Sequence, residues 1–334
     1  MTESNSMESL PWQSADWALI QRTRRVDRLP HALLITGQEG MGKRHFAERV
    51  AASLLCKSTG DQGEPCGGCR GCDLYRAGTH PDLKYLQPEE PGKAIVIDAV
   101  REFISKESLT ALTGGYKILI IQPAEAMTRA AANSLLKTLE EPVERTFMML
   151  LSAQPGKLPV TIRSRCRELR MRLPNRQIAE QWLTAETDTG DAALLLSLAC
   201  GAPLRARALA NPELLDLRVK LLNEFAAILE ERADPVVVAA AWSKLDTVLI
   251  LSWYSGWLND CLRLKIDPSY ANLINPDQRN RLQQIGKSLD FKRLFGHIDA
   301  ANQALLARDS QLNPQMVMES LLLPLADRCF GNTG

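Results

Sequence analysis

Gly37-Gln-Glu-Gly40-Met-Gly42-Lys43 has the G-x-x-x-x-G-K spacing of a phosphate loop. Glycines let backbone N–H groups converge on phosphate oxygens, and the lysine neutralises their charge. The next residue is Arg44, where a Ser or Thr hydroxyl would ligate Mg²⁺; a guanidinium is itself a cation and cannot hold a metal. The acidic pair that would bind the metal and orient the attacking water belongs at the end of a later strand. The best strand for it, Lys117 to Ile121, runs into Gln122-Pro123, and neither carries a carboxylate. Glu125 is close by, but beyond a proline. The loop therefore reads as a nucleotide site without turnover, as a purely structural loop, or as a working ATPase in which Glu125 and water-mediated Mg²⁺ replace the missing groups.

Cys56-x9-Cys66-x2-Cys69-x2-Cys72 gathers four thiols, with Gly67, Gly68 and Gly71 between the last three. Glycines permit the tight turns that aim several sulfurs at one point, and four thiolates suit a closed, structural Zn²⁺ tetrahedron. An iron–sulfur cluster uses similar C-x2-C-x2-C runs, but there a further cysteine follows downstream; here the fourth thiol lies upstream. Reduced free thiols are the remaining reading. His80, beside Pro81, is an outside candidate ligand that reads better as an ordinary loop histidine.

Arg163, Arg165, Arg167, Arg170 and Arg172 crowd one short segment. One of them could project from a domain edge onto a phosphoryl group held by a neighbouring subunit, an arginine finger acting in trans, since a guanidinium is always charged and forks onto phosphate oxygens. The alternative is a solvated basic strand.

Elements of two kinds must carry these groups. Short apolar runs at His31–Thr36, Leu83–Leu86, Ile95–Ile97, Ile118–Ile121 and Phe147–Leu151 alternate with helix-length segments, among them Asp98–Ser108 and Thr128–Leu139, with Asp98 and Thr128 as N-caps and Pro142 as a stop. Phe46, Val50 and Leu54 recur every four residues after the glycine loop. The pattern is that of a parallel α/β sheet buried on both faces. From about Pro174 strand signals cease. Two or three short helices reach Ala210, with Gly201 a stop and Asn211-Pro212 a break; longer helices follow at Glu213–Arg232, Pro235–Lys265, Asp277–Leu289, Arg293–Arg308 and Met316–Phe330.

The 334 residues suffice for two or three domains. With 40 basic against 39 acidic residues, the chain does not coat nucleic acid by bulk charge. Eight cysteines are too few for a secreted disulfide scaffold; beyond the cluster, Cys166, Cys200, Cys261 and Cys329 read as ordinary thiols. The start, MTESNSMESLPW, has no basic or apolar leader region, so a cytoplasmic protein is expected.

HALLITGQEGMGKRHFAERVAASLLC, CGGCRGC, AGTHPDL, NSLLKTLEEP (Asn133–Pro142) and TIRSRCR (Thr161–Arg167) together resemble the delta prime subunits of the bacterial DNA polymerase III clamp loader, within the AAA+ clamp-loader family. LLKTLEEP followed by SRC, Ser164 to Cys166, is highly specific to clamp loaders. The resemblance implies an α/β plus all-α fold: an AAA+ P-loop core over residues 1–173 with a zinc module at about 56–80, a helical lid at 174–211 and a C-terminal helical collar at 212–334 that holds a hetero-pentamer together. It implies Zn²⁺ on Cys56, Cys66, Cys69 and Cys72, and Arg165 as the finger that completes an adjacent gamma/tau site. It also implies a component of a DNA-directed DNA polymerase holoenzyme that loads the sliding clamp on primed DNA, with gamma/tau and delta subunits as partners, no membrane partner and no independent activity. Gly37, Gly40, Gly42 and Lys43 survive, so ATP or ADP binding without hydrolysis is expected. Two alternatives stand beside this: an active AAA+ motor subunit, and a zinc-dependent DNA-binding module, for which Arg70 is the only basic side chain between Cys66 and Cys72. An ungapped match puts Leu204 where active subunits keep a second phosphate-sensing arginine; Arg205 is one residue away and takes no role. Asn313 to Leu323 resembles the last collar helix, interrupted at Pro324.

Overall fold

The apolar run after His31 becomes the inner strand of a parallel sheet. In the computed structural model, which describes residues 9–90, 92–105, 111–113, 115–188, 191–307 and 313–326, the strands are β1 (Ala32–Thr36), β2 (Leu83–Leu86), β3 (Lys117–Ile121), β4 (Thr146–Ser152) and β5 (Arg167–Arg170). Their order is β2-β3-β4-β1-β5. Every pair is parallel, with Leu34 in register with Leu150 on one side and Glu168 on the other. β1, β3 and β4 are buried along their whole length, which is why they read as continuous rather than alternating apolar runs. β5 is an edge strand on which only Leu169 is buried; Arg167 and Arg170 are the solvated basic residues there. A five-stranded parallel sheet is the α/β core expected from the alternating apolar runs.

Helices α1 (Ser14–Arg25), α2 (Lys43–Leu55), α3 (Arg70–Arg76), α4 (Ile97–Phe103), α5 (Arg129–Glu140) and the single turn α6 (Val160–Arg163) accompany the sheet. Phe46, Val50 and Leu54 of α2 are all buried, as their spacing requires. Val100 and Phe103 of α4, Leu135 and Leu139 of α5 and Ile162 of α6 share one core with Leu119 and Leu150. The Thr128 hydroxyl accepts the Ala131 N–H at 3.1 Å and caps α5, which ends just before Pro142.

Local expectations fail where a short apolar run has too few partners. Ile95–Ile97 forms no strand: Ile95 makes one parallel bridge to Met127, and α4 already begins at Ile97. Asp98 is consequently inside the first turn and Val96 is the N-cap. The second half of the expected Asp98–Ser108 helix does not form before Ser105, and Lys106 to Ser108 lie outside the described residues. α1 gives a helix that its polar composition does not announce.

The chain packs into two compact units, Met1–Trp182 and Leu183–Gly334, the boundary falling within α7 (Arg176–Glu186). The second unit contains α8 (Ala192–Leu198), α9 (Pro203–Leu209), α10 (Pro212–Leu229), α11 (Pro235–Trp242), α12 (Thr247–Ile266), α13 (Arg279–Ser288), α14 (Phe291–Leu306) and α15 (Pro314–Ala326). The long stretch expected at Pro235–Lys265 is two helices, because Asp246 accepts the Leu249 N–H and starts α12 afresh. Asp191, Asn211, Asp234 and Asp290 cap other helices in the same way, satisfying N–H groups that a helix start leaves unpaired. Trp242, Trp257, Phe225 and Tyr254 fill the core, with Phe225 and Tyr254 meeting edge-on at 5.3 Å. Pro324 sits inside α15, whose Pro324 and Leu325 carbonyls accept from Arg293 Nη2. Residues 327–330 and Cys329 lie outside the described residues. Among the described residues no single helix is long and apolar enough to cross a membrane.

Candidate functional site

The glycine loop turns from β1 into α2. Gly37, at φ +148°, passes so close to β5 that a Cβ there would stand 2.9 Å from the Met171 carbonyl oxygen. Gly42, at φ +79°, is the left-handed N-cap of α2, a conformation that a side chain would strain. Lys43 Nζ donates to the Gly37 carbonyl at 2.6 Å and to that of Gln38 at 3.0 Å. Burial pushes the Lys43 ammonium below its ordinary value, opposed by the charges of Glu125 and Glu39. Its ammonium is thus held by neutral carbonyls inside the loop, where phosphate oxygens would be stronger partners.

Arg44 does not enter the loop. Its Nε donates to Glu48 at 2.8 Å, and its guanidinium stands 5.7 Å from the centre of the Tyr85 ring. At the end of β3, Glu125 is committed elsewhere: Oε1 accepts the N–H groups of Ala153 at 2.9 Å and Gln154 at 3.1 Å, while Oε2 is buried with no hydrogen-bond partner. Glu125 ties β3 to the end of β4 and lends charge to Lys43.

Sequence reasoning missed the strap over the loop. Trp12 Nε1 donates to the Met41 carbonyl at 3.1 Å, and Gln13 Nε2 donates to those of Met41 at 3.1 Å and Gly42 at 2.9 Å. Trp12 in turn meets Trp182 edge-on at 5.0 Å. No local pattern marks these residues, because their partners lie about thirty positions away.

The four thiols of Cys56, Cys66, Cys69 and Cys72 converge, every sulfur within 4.8 Å of the others. Cys69 lies 3.6 Å from Cys72 and 3.9 Å from Cys56, and Cys66 lies 3.9 Å from Cys72. A tetrahedron with metal–sulfur bonds of about 2.3 Å has edges of about 3.8 Å, so the residues fit a four-thiolate metal site. Gly71 is required: a Cβ there would lie 2.4 Å from the Leu55 carbonyl oxygen. The Lys57 and Cys72 backbone N–H groups pull the Cys69 thiol down to about 6, while burial pushes Cys72 up to about 12. His80 is not in the cluster; its Nδ1 accepts the Asp82 N–H at 3.1 Å. α1 clamps the module: Trp17 Nε1 donates to the Gln62 carbonyl at 3.0 Å, and the Arg49 guanidinium lies 3.9 Å from the Trp17 ring centre while pairing with Glu64.

Arg165 follows α6, before β5. Its Nε donates to Glu140 Oε1 at 2.7 Å, Nη2 stands 2.5 Å from the same carboxylate, and Nη1 donates to the Thr161 carbonyl at 3.0 Å. Cys166 turns inward against the core, where burial pushes its thiol up to about 12. The two motifs LLKTLEEP and SRC are therefore in direct contact. Arg205 belongs to the second unit, lining a small cleft with Trp253 and Asn259.

Residues 12–175 match the family described as DNA polymerase III, delta subunit, and residues 212–327 match its C-terminal family, DNA polymerase III, delta subunit, C terminal. DNA polymerase III subunit delta' of Pseudomonas aeruginosa is 35% identical over 321 residues, covering 95% of this chain and 97% of the relative. The chain belongs to the DNA polymerase III subunit delta' family. The subunit delta' of Escherichia coli is 33% identical, with 95% of each chain covered. Among solved structures, a DNA polymerase III gamma subunit-related protein of Thermotoga maritima aligns at 17% identity and a TM-score of 0.47 over 93% of this chain and 99% of that one. Membership in the delta' family agrees with the clamp-loader resemblance drawn from the motifs. The four cysteines that the sequence singles out are gathered at one point, and Lys43 is in the loop. Glu125 and Glu140 instead take partners that the motifs did not name.

Proposed function

We propose that this clamp-loader subunit does not hydrolyse ATP and acts in trans, presenting Arg165 to the γ-phosphate of an adjacent gamma/tau subunit while a sliding clamp is loaded onto primed DNA. The observation that carries the reading is an asymmetry. A guanidinium is held at the edge of the first unit, while the chain's own loop lacks each group that would hold and use Mg²⁺. Arg44 is paired with Glu48, Gln122 and Pro123 end β3, and Glu125 Oε1 is bonded to backbone. The core then presents the finger, and the collar (212–334), which follows the helical lid (174–211), assembles with gamma/tau and delta subunits in the cytoplasm.

Two further assignments belong to this reading. The metal is zinc and structural, since four thiolates leave no open position for chemistry. The loop binds ATP or ADP without turnover, because Lys43 and the three glycines survive and a phosphate would replace two carbonyls as the partner of Nζ. The test is turnover and nucleotide binding by the isolated chain. Calorimetry should detect ATP or ADP below millimolar concentration with no release of phosphate; hydrolysis by the isolated chain overturns the reading in favour of a motor subunit.

A further inference from the structure

The contact between Glu140 and Arg165, 25 residues apart in sequence, joins two motifs. Both sides of it are anchored. Arg165 follows Ile162, which is fully buried, and precedes Cys166, which packs on the same core; its own N–H bonds the Ile162 carbonyl at 3.1 Å. Glu140 is the last residue of α5, directly after the buried Leu139. The backbone of each residue is therefore fixed by a shared core, and only the side chains reach the surface.

A guanidinium has five N–H donors in one plane. Glu140 takes the Nε edge together with Nη2, and the Thr161 carbonyl takes Nη1. Nη1 also stands 3.5 Å from Ser164 Oγ, a long neutral contact that a charged phosphate oxygen would displace, and the Nη1/Nη2 edge of the fork is the pair that grips two phosphate oxygens. The side chains of Arg165 and Glu140 remain 35% and 49% exposed. An ion pair that wet adds little to folding stability, so its consequence lies in orientation. A free arginine side chain samples many rotamers and must lose that freedom before it can act.

We infer that Glu140 is a positioning residue for Arg165: its carboxylate holds the Nε edge so that the Nη1/Nη2 edge faces a phosphoryl group outside the chain. This rests on the reading of Arg165 as a finger in trans, and it adds a residue and a geometry to that reading.

The test uses the full chain reconstituted with its ATPase partner subunits, comparing wild type with Arg165→Ala, Glu140→Ala, Glu140→Asp and the double variant Arg165→Ala/Glu140→Ala. Glu140→Ala is expected to lower DNA-stimulated kcat by at least half of the drop that Arg165→Ala causes, with KM for ATP and assembly unchanged. Glu140→Asp, which keeps a carboxylate on a shorter stem, should recover part of the rate. The double variant should fall no further than Arg165→Ala, because coupled groups fail to add. If Arg165→Ala lowers the rate and Glu140→Ala does not, or raises it, the positioning role is overturned while the finger survives. If Arg165→Ala itself has no effect, the finger reading falls and this inference with it. Thermal unfolding of each variant separates a folding defect from lost orientation: a rate loss in Glu140→Ala that tracks a lowered midpoint also overturns the inference.

Discussion

Cys56 closes the helix that Lys43 opens. α2 runs 13 residues from the loop lysine to Leu55, and its C-cap is Cys56, the first thiol of the cysteine cluster, whose backbone N–H bonds the Ala52 carbonyl at 3.1 Å. The phosphate loop and the cysteine module thus sit at the two ends of one rod about 20 Å long. α1 grips that rod and the module together, through Arg24 to Ser53 at 2.8 Å and Trp17 to Gln62. The module is thus linked to the loop through α2 and to α1 through Trp17.

Metal removal should therefore destabilise the first unit. One zinc per chain is expected by elemental analysis, and a strong chelator should lower the thermal midpoint by several degrees, since metal binding to thiolates is coupled to folding. Gly71→Ala, which drives a Cβ against the Leu55 carbonyl, should lose zinc as well. A metal-free chain with an unchanged midpoint would show that the cluster braces nothing.

Lys43→Ala should abolish nucleotide binding and leave the fold intact, because the ammonium's present partners are two carbonyls that water can satisfy. The measurement is calorimetric titration with ADP. Equal affinity in Lys43→Ala and wild type would contradict a phosphate role for the lysine.

The second unit should weaken in acid through His297. Burial, and then the charge of Arg293, pushes its imidazole from the ordinary 6.5 down to about 4, and its Nδ1 faces the buried Tyr254 hydroxyl at 3.3 Å. The folded form keeps the ring neutral while the unfolded chain takes up a proton. The ring's contribution is whole above pH 6.5 and is lost progressively as pH falls to about 4, about 3 kcal/mol in all. His297→Gln should flatten the pH dependence of urea unfolding over that window; an unchanged slope would contradict it.

Asp260, fully buried, accepts the Asn275 N–H at 2.7 Å, the Ile274 N–H at 3.0 Å and Arg263 Nη1 at 3.0 Å. Asn275 in turn accepts from the buried Arg218 at 2.9 Å. Asp260→Ala leaves these donors unpaired and should cost about 3–5 kcal/mol, read by denaturant unfolding of the full chain. A loss under 1 kcal/mol would mean that water enters and takes the carboxylate's place.

The parts of the fold that could be read in the sequence are those whose physics is local. The buried strands are continuous apolar runs, Thr128 caps its own helix, and the cysteine spacing carries its glycines with it. What could not be read depends on distant partners: α1 exists to grip α2 and the module, and Trp12 and Gln13 satisfy carbonyls of the loop. Ile95–Ile97 looked like a strand but finds one bridge and no ladder. Glu140 was visible within LLKTLEEP, yet only the fold brings it to Arg165.

The role proposed for Arg165 is to serve a neighbour's site. Its most direct test is DNA-stimulated ATP hydrolysis by the loader reconstituted with Arg165→Ala. The expected result is an assembled loader in which the adjacent site loses roughly a thousandfold in turnover, with the total rate falling by that site's share; an assembled loader with an unchanged rate would contradict the trans role of Arg165.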